Sequence, residues 1–351
     1  MTNSFNCIAT GIGSLPVAEP GTAAALSLQY LPEAPIWPQL PQKDFREQMD
    51  AQYSESLPGL RLDAAKKRFF FDTTGDLTPE LESYFERYIE KDYTFFGISE
   101  EYAAGFYALL RGLENGLPHK ARFIKGHITG PLTAGISYKD EAGRDIVHNE
   151  VLFDAVVKGL AMKAAWQIRQ LERFGKPVII FIDEPAMESL GSAFSAVSSE
   201  VVAEKLDEII GVIHEMNGIA GIHCCGNADW PMIFNTAVDI VNFDAFGYMD
   251  KVMLYPEDIR KFYGRGGALA WGIVPTGAFT GSETAELLVA KLDSGMKRLE
   301  EHGIARETLL RQCLITPSCG MGSLTPEAAE AILKLLREVS DRMQKKLQSE
   351  N

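Results

Sequence analysis

Eight short β-type runs, each followed by a helical stretch or a turn-rich loop, constrain the fold of this chain more than any other feature. The runs are Cys7–Leu15, Lys67–Asp72, Ala121–Thr129, Pro177–Pro185, Ile219–Cys225, Asp239–Phe246, Ala268–Pro275 and Leu309–Thr316. Between them, apolar residues recur at helical spacing, most clearly in Glu100–Glu114, Val147–Phe174, Ser199–Met216, Ser282–His302 and Pro326–Leu347. Strand and helix alternating from end to end build parallel βαβ units. Eight such units imply an α/β chain closed into a single (β/α)8 TIM barrel spanning residues 1–351. Helix boundaries agree with this reading. Thr78-Pro79-Glu80 and Thr325-Pro326-Glu327 place a capping residue before a proline at the first helical position, and Gly175 and Gly303 stand where helices should stop.

Residues 16–66 fit the alternation least. Leu31 to Pro41 carries four prolines, which a helix interior or a central strand does not tolerate. The segment reads as a long first βα loop with an added helix over Asp44–Ser56. Such a loop either covers the mouth of the barrel or clamps its outside.

Composition narrows the partners. A net charge of -14 argues against nucleic acid and anionic membrane surfaces, which need basic patches. No run approaches the roughly 18 uninterrupted apolar residues of a membrane span, and the N-terminus lacks a basic region followed by an apolar one. A cytosolic protein acting on small molecules or another protein is the expectation. Five cysteines, two of them adjacent, do not form a disulfide framework in a chain of this length.

In a barrel of this kind chemistry gathers at the C-terminal strand ends. The fifth run ends in Gly221-Ile222-His223-Cys224-Cys225-Gly226, where alternation turns His223 and Cys225 to one face and Cys224 to the other. Cys319, in Pro317-Ser318-Cys319-Gly320, follows the eighth run. One imidazole and two thiolates suit zinc with a fourth position left for a substrate thiol. Asp244, ending the neighbouring run, is either a fourth ligand, an acceptor for the imidazole N–H of His223, or a plain salt-bridge partner. Asp183 and Glu184 end the fourth run, where a charge is costly unless paired or solvated in a site. His127 and Thr129 end the third run, with His127 either a reactant or a satisfied core residue. Gly13 and Ser14 end the first, offering backbone N–H groups to a carboxylate or making a tight turn.

The segments Ala9–Pro16 (ATGIGSLP), His127–Thr133 (HITGPLT), Phe181–Met187 (FIDEPAM), His223-x-Cys225 and Pro317–Gly320 (PSCG) occur in an order that resembles the catalytic C-terminal half of cobalamin-independent methionine synthase. That family sits in a barrel superfamily with corrinoid-dependent coenzyme M methyltransferases and uroporphyrinogen decarboxylase. The resemblance implies a zinc site that activates an acceptor thiol, homocysteine or one like it, for attack on a methyl group. It implies His223, Cys225 and Cys319 as ligands, with Asp244 standing where the full-length enzymes carry a glutamate. Asp183 would hold the acceptor's amino group, and Ile12 and Ser14 would line its carboxylate; from their places at the strand ends His127 joins Asp183 as a catalytic candidate, and Thr129 and Glu184 are substrate-binding candidates. Full-length members carry a second barrel that helps bind a folate donor, and this chain has room for one. A corrinoid protein or another small methyl donor is therefore expected. The alternatives are a methyltransferase for another thiol such as coenzyme M, and a barrel that binds a metal or small ligand without catalysis.

Overall fold

The computed structural model describes residues 4–63, 65–190 and 197–350. Its centre is a parallel seven-stranded sheet built from β1 (Ile8–Ala9), β4 (Ile124–Thr129), β5 (Val178–Asp183), β6 (Ile219–Cys224), β7 (Ile240–Phe243), β8 (Ala268–Val274) and β9 (Cys313–Pro317). The order is β1-β9-β8-β7-β6-β5-β4, so β1 and β4 form the two edges. The remaining strands, β2 (Leu60–Asp63) and β3 (Arg68–Phe71), pair antiparallel in a separate hairpin.

Strand alternation sorts the apolar residues into two zones. Ile8, Ile179, Phe181, Ile219, Ile240 and Leu314 pack together inside the curl of the sheet. Their chain neighbours Ile180, Ile182, Ile222, Val241, Phe243 and Ile315 face the helices in the larger core. Both faces are buried, which explains why these strands read as continuous apolar runs. The helices Glu150–Glu172, Ser199–Glu215, Ala285–Glu301 and Pro326–Glu350 begin and end within three residues of their sequence-based expectations, with Asn149, Ser198 and Thr284 as side-chain caps on the first three.

The second barrel position differs from expectation. Lys67–Asp72 was expected there because Phe69-Phe70-Phe71 has strong strand propensity, but those residues form the second arm of the hairpin. Lying instead between the sheet's two edges is the proline-dense segment 35–39. Lys125 N–H donates to Pro35 O at 2.9 Å and Trp37 N–H to Lys125 O at 3.4 Å on the β4 side. Leu15 N–H donates to Gln39 O at 2.9 Å and Gln39 N–H to Gly13 O at 3.1 Å on the other. Pro35 and Pro38 have no N–H to give, and every N–H on this ladder is donated by other residues, with Pro35 contributing only its carbonyl. The chain is thus a curled seven-stranded parallel sheet with one extended segment hydrogen-bonded to both edges, rather than a sheet of eight regular strands.

Residues 16–66 are accordingly not one loop. A helix, Pro20–Tyr30, follows β1 directly, capped by Glu19, whose carboxylate accepts from Gly21 and Thr22 N–H. The long excursion comes after segment 35–39. It contains a short turn of helix at Met49–Gln52 where Asp44–Ser56 was expected, then the hairpin, then the helix Thr78–Ile89. The chain rejoins the sheet through the helix Ala104–Asn115, where a Cβ on Gly105 would lie 1.8 Å from Pro38 O. Only glycine lets that helix lie against the segment backbone to backbone.

Candidate metal centre

Thr129, Asp183, His223 and Asn242 are register partners on adjacent strands: Thr129 with Asp183, Asp183 with His223, and His223 with Asn242. All four share the inward parity of Phe181 and Ile240, so they form one polar layer at the C-terminal end of the sheet. Each is almost fully buried. Thr129 Oγ1, Asp183 Oδ1 and His223 Nε2 nevertheless have no hydrogen-bond partner. An unpaired buried polar atom costs about 1–3 kcal/mol. Three of them in one layer describe a surface built to receive something else.

His223 Nε2 points to what that is. The ligand atoms of His223, Cys225 and Cys319 all lie within 4.8 Å of one another. Cys225 follows β6 and Cys319 follows β9, while Cys224 packs in the apolar core on the helix side. The imidazole is oriented by Asn242. The Asn242 amide N–H groups donate to Ala270 O and Thr316 Oγ1, both at 2.8 Å, leaving its carbonyl to accept from His223 Nδ1 at 2.5 Å. The hydrogen-bond network therefore assigns the proton to Nδ1 and the lone pair to Nε2, as a metal-binding imidazole requires.

The two thiols divide one proton between them. A hydrogen bond from Cys319, reinforced by His223, pulls the Cys225 thiol down to about 4, and the same hydrogen bond together with burial raises that of Cys319. One thiolate, a second thiol beside it that a bound metal would deprotonate, and a correctly oriented imidazole suit a zinc site, and soft sulfur disfavours magnesium or calcium. Among the described residues no fourth side chain joins the group. Asp244 stands outside it, accepting Gly247 N–H at 2.7 Å, with burial raising its carboxyl above the usual range. The place beside the His223 N–H for which Asp244 was a candidate is taken by Asn242.

The other expected site residues fall into two groups. Asp183 is in the polar layer, its carboxyl raised to about 6 by burial against the opposing pull of His223 and Lys125. Thr129 is beside it. Ser14 lies against the loop that carries Cys319, with its Oγ accepting Gly322 N–H at 3.1 Å and its carbonyl accepting Met321 N–H at 2.9 Å. Ile12 offers its carbonyl to Lys125 Nζ at 2.6 Å. Glu184, by contrast, is fully engaged by protein. Its carboxylate accepts Leu132 N–H, Thr133 N–H and Thr133 Oγ1–H, capping the helix Pro131–Ser137. His127 is also enclosed: it stacks on Trp37 at 3.9 Å, meets Tyr53 Oη through Nδ1 at 2.8 Å and Trp37 O through Nε2 at 3.3 Å. Burial holds its pKa well below the usual histidine value, so it is a neutral ring under the site. A Cβ on Gly13 would sit 3.0 Å from that ring, which accounts for the glycine. Sequence reasoning assigned no role to Asn242, Lys125 or Tyr53. A lone amide in the run Ile240-Val241-Asn242-Phe243 and a lone lysine in Phe123-Ile124-Lys125-Gly126 were the visible signals.

Neither a protein-family model nor a curated relative matches the chain. Solved structures do. One is a B12-independent methionine synthase from Shewanella sp. W3-18-1 in complex with selenomethionine, with a TM-score of 0.61, 16% identity and 99% of each chain covered. Another is a methyltransferase from Methanosarcina mazei, with a TM-score of 0.58, 12% identity and coverage of 99% of this chain and 95% of that one. The chain shares their fold over its whole length. The resemblance read from motifs and the likeness of fold thus point to the same group of proteins.

Proposed function

We propose that this protein is a zinc-dependent thiol methyltransferase. The observation that carries the reading is the convergence of His223 Nε2, Cys225 and Cys319 beside the unpartnered Asp183 carboxylate. In this reading His223, Cys225 and Cys319 hold the zinc, which when bound lowers the pKa of an acceptor thiol entering the remaining position. Asp183 receives an ammonium on the acceptor, Thr129 adds a hydroxyl beside it, and the turn Ile12–Ser14 receives a carboxylate. The acceptor sulfur then attacks the methyl carbon, and the S–C bond forms as the bond from methyl to donor breaks.

An acidic group in the polar layer favours an amino thiol such as homocysteine over a sulfonate thiol such as coenzyme M, whose negative charge it would repel. The fold neighbours support methyl transfer as the reaction type. The donor we propose is a methylcorrinoid protein or another small methyl carrier, with the enzyme in the cytosol. We also read segment 35–39 as the eighth stave of a closed barrel, with the excursion that follows it at the rim of the site.

The test is direct. Zinc-loaded protein incubated with homocysteine and methylcobalamin should discharge the methyl–cobalt absorbance and yield methionine. A protein that retains its zinc yet transfers no methyl group to homocysteine, coenzyme M or a simple thiol is a binding barrel, and the proposal fails.

A further inference from the structure

Lys125 is buried completely inside the sheet, and among the described residues it makes no ion pair. Its ammonium donates to Ile12 O at 2.6 Å and lies 4.1 Å from the centre of the Phe181 ring. A buried cation with one carbonyl and one aromatic face costs several kcal/mol relative to water, far more than a methionine or leucine filling the same space. Its backbone alone would secure β4 to segment 35–39, through the bonds to Pro35 and Trp37. The side chain is therefore not needed to close the sheet.

What the side chain does hold is the turn that follows β1. A trans peptide sets its C=O and the following N–H antiparallel, so fixing Ile12 O also fixes the direction of Gly13 N–H. Among the described residues, the Gly13 and Ser14 N–H groups donate to no backbone or side-chain acceptor. From the same turn Ser14 binds Met321 N–H and Gly322 N–H, next to Cys319. An anion at this turn would meet two free N–H groups with the Lys125 amine behind the turn, and its negative charge would favour the ammonium form that burial disfavours.

We propose that Lys125 is a positioning residue for acceptor recognition: through the Ile12 carbonyl its ammonium sets the turn Ile12–Ser14 to receive the acceptor's carboxylate. The proposal rests on the functional reading above and adds to it the residue that selects carboxylate-bearing thiols. Three acceptors separate the contributions: homocysteine, 4-mercaptobutyrate, which keeps the carboxylate alone, and 3-aminopropane-1-thiol, which keeps the amine alone. Binding of each to zinc-loaded protein is measured by calorimetry, with no methyl donor present. Lys125→Met should bind homocysteine and 4-mercaptobutyrate roughly tenfold more weakly or worse, the order of one lost charge-assisted hydrogen bond, and the aminothiol within about twofold of the wild type.

Equal weakening of all three thiols marks Lys125 as a structural residue and overturns the proposal, as does no weakening at all. Should Lys125→Met fail to fold or to hold zinc, Lys125→Gln, whose amide stops short of Ile12, is expected to give the same selective loss and is overturned by the same flat pattern. A wild type that binds none of the three better than ethanethiol defeats the functional reading and takes this inference with it. A wild type that prefers homocysteine beside a flat variant defeats the inference alone.

Discussion

At the scale of single residues the proposed metal centre depends on side chains that would not touch the metal. Asn242 is the clearest case, because it decides which nitrogen of His223 carries the proton. Asn242→Leu removes that acceptor while keeping the volume. It should lower zinc affinity about 10–100-fold, the usual effect of losing a partner that orients a ligand, as read by competition against a chromophoric chelator. Unchanged affinity would mean that the imidazole is held by packing. The thiols make a second prediction. In chelator-stripped protein the folded-state value of Cys225 lies below its unfolded value, so its thiolate stabilises the fold fully above roughly pH 8.5 and progressively less as pH falls toward about 4. One thiolate per chain should therefore absorb in the far ultraviolet at pH 7, fall to about half its amplitude near pH 4 and be lost below it. Cys225→Ala should abolish that band and Cys224→Ala should leave it, since Cys224 is buried in apolar surroundings that raise its pKa.

At the scale of elements, what was legible in the sequence follows from what alternation reports. The buried strands announced themselves as apolar runs because both of their faces are covered, and the parity of His223, Cys224 and Cys225 followed from the pleat alone. Segment 35–39 was illegible for a physical reason. Its prolines break every local rule for a strand, and only the partners on either side reveal that the N–H groups it needs to donate come from Trp37 and Gln39. The reverse error arose at Phe69-Phe70-Phe71, where strand propensity is real but the partner is Leu60–Leu62 of the hairpin. Glu184 illustrates the same limit, since its charge at a strand end read as a substrate contact whereas its oxygens are spent on the helix Pro131–Ser137. Glu184→Ala should accordingly cost about 1–3 kcal/mol of stability by leaving those N–H groups unpaired. Its zinc content and acceptor affinity per folded molecule should stay near wild type. A variant of normal stability with lost acceptor binding would restore Glu184 to the substrate.

At the scale of the whole molecule, the centre is a clasp between distant parts of the chain. His223 belongs to β6, Cys225 directly follows it and Cys319 lies in the loop after β9, with β7 and β8 between them in the sheet and almost a hundred residues of sequence. A metal bound only when these strands are assembled stabilises the folded state by mass action, by about 2.7 kcal/mol when free zinc is a hundredfold above its dissociation constant. The loop carrying Cys319 is also tied by Ser14 to the turn that follows β1, so the effect reaches the segment after the chain's first strand as well as its last strand. Thermal unfolding should therefore show a single transition that rises with zinc and falls reversibly with a chelator. Cys319→Ser should unfold near the temperature of the stripped wild type and respond to zinc far less. A melting temperature indifferent to zinc in the wild type, or a Cys319→Ser variant that keeps the full increment, would show that the ligands are not drawn from these two separate strands.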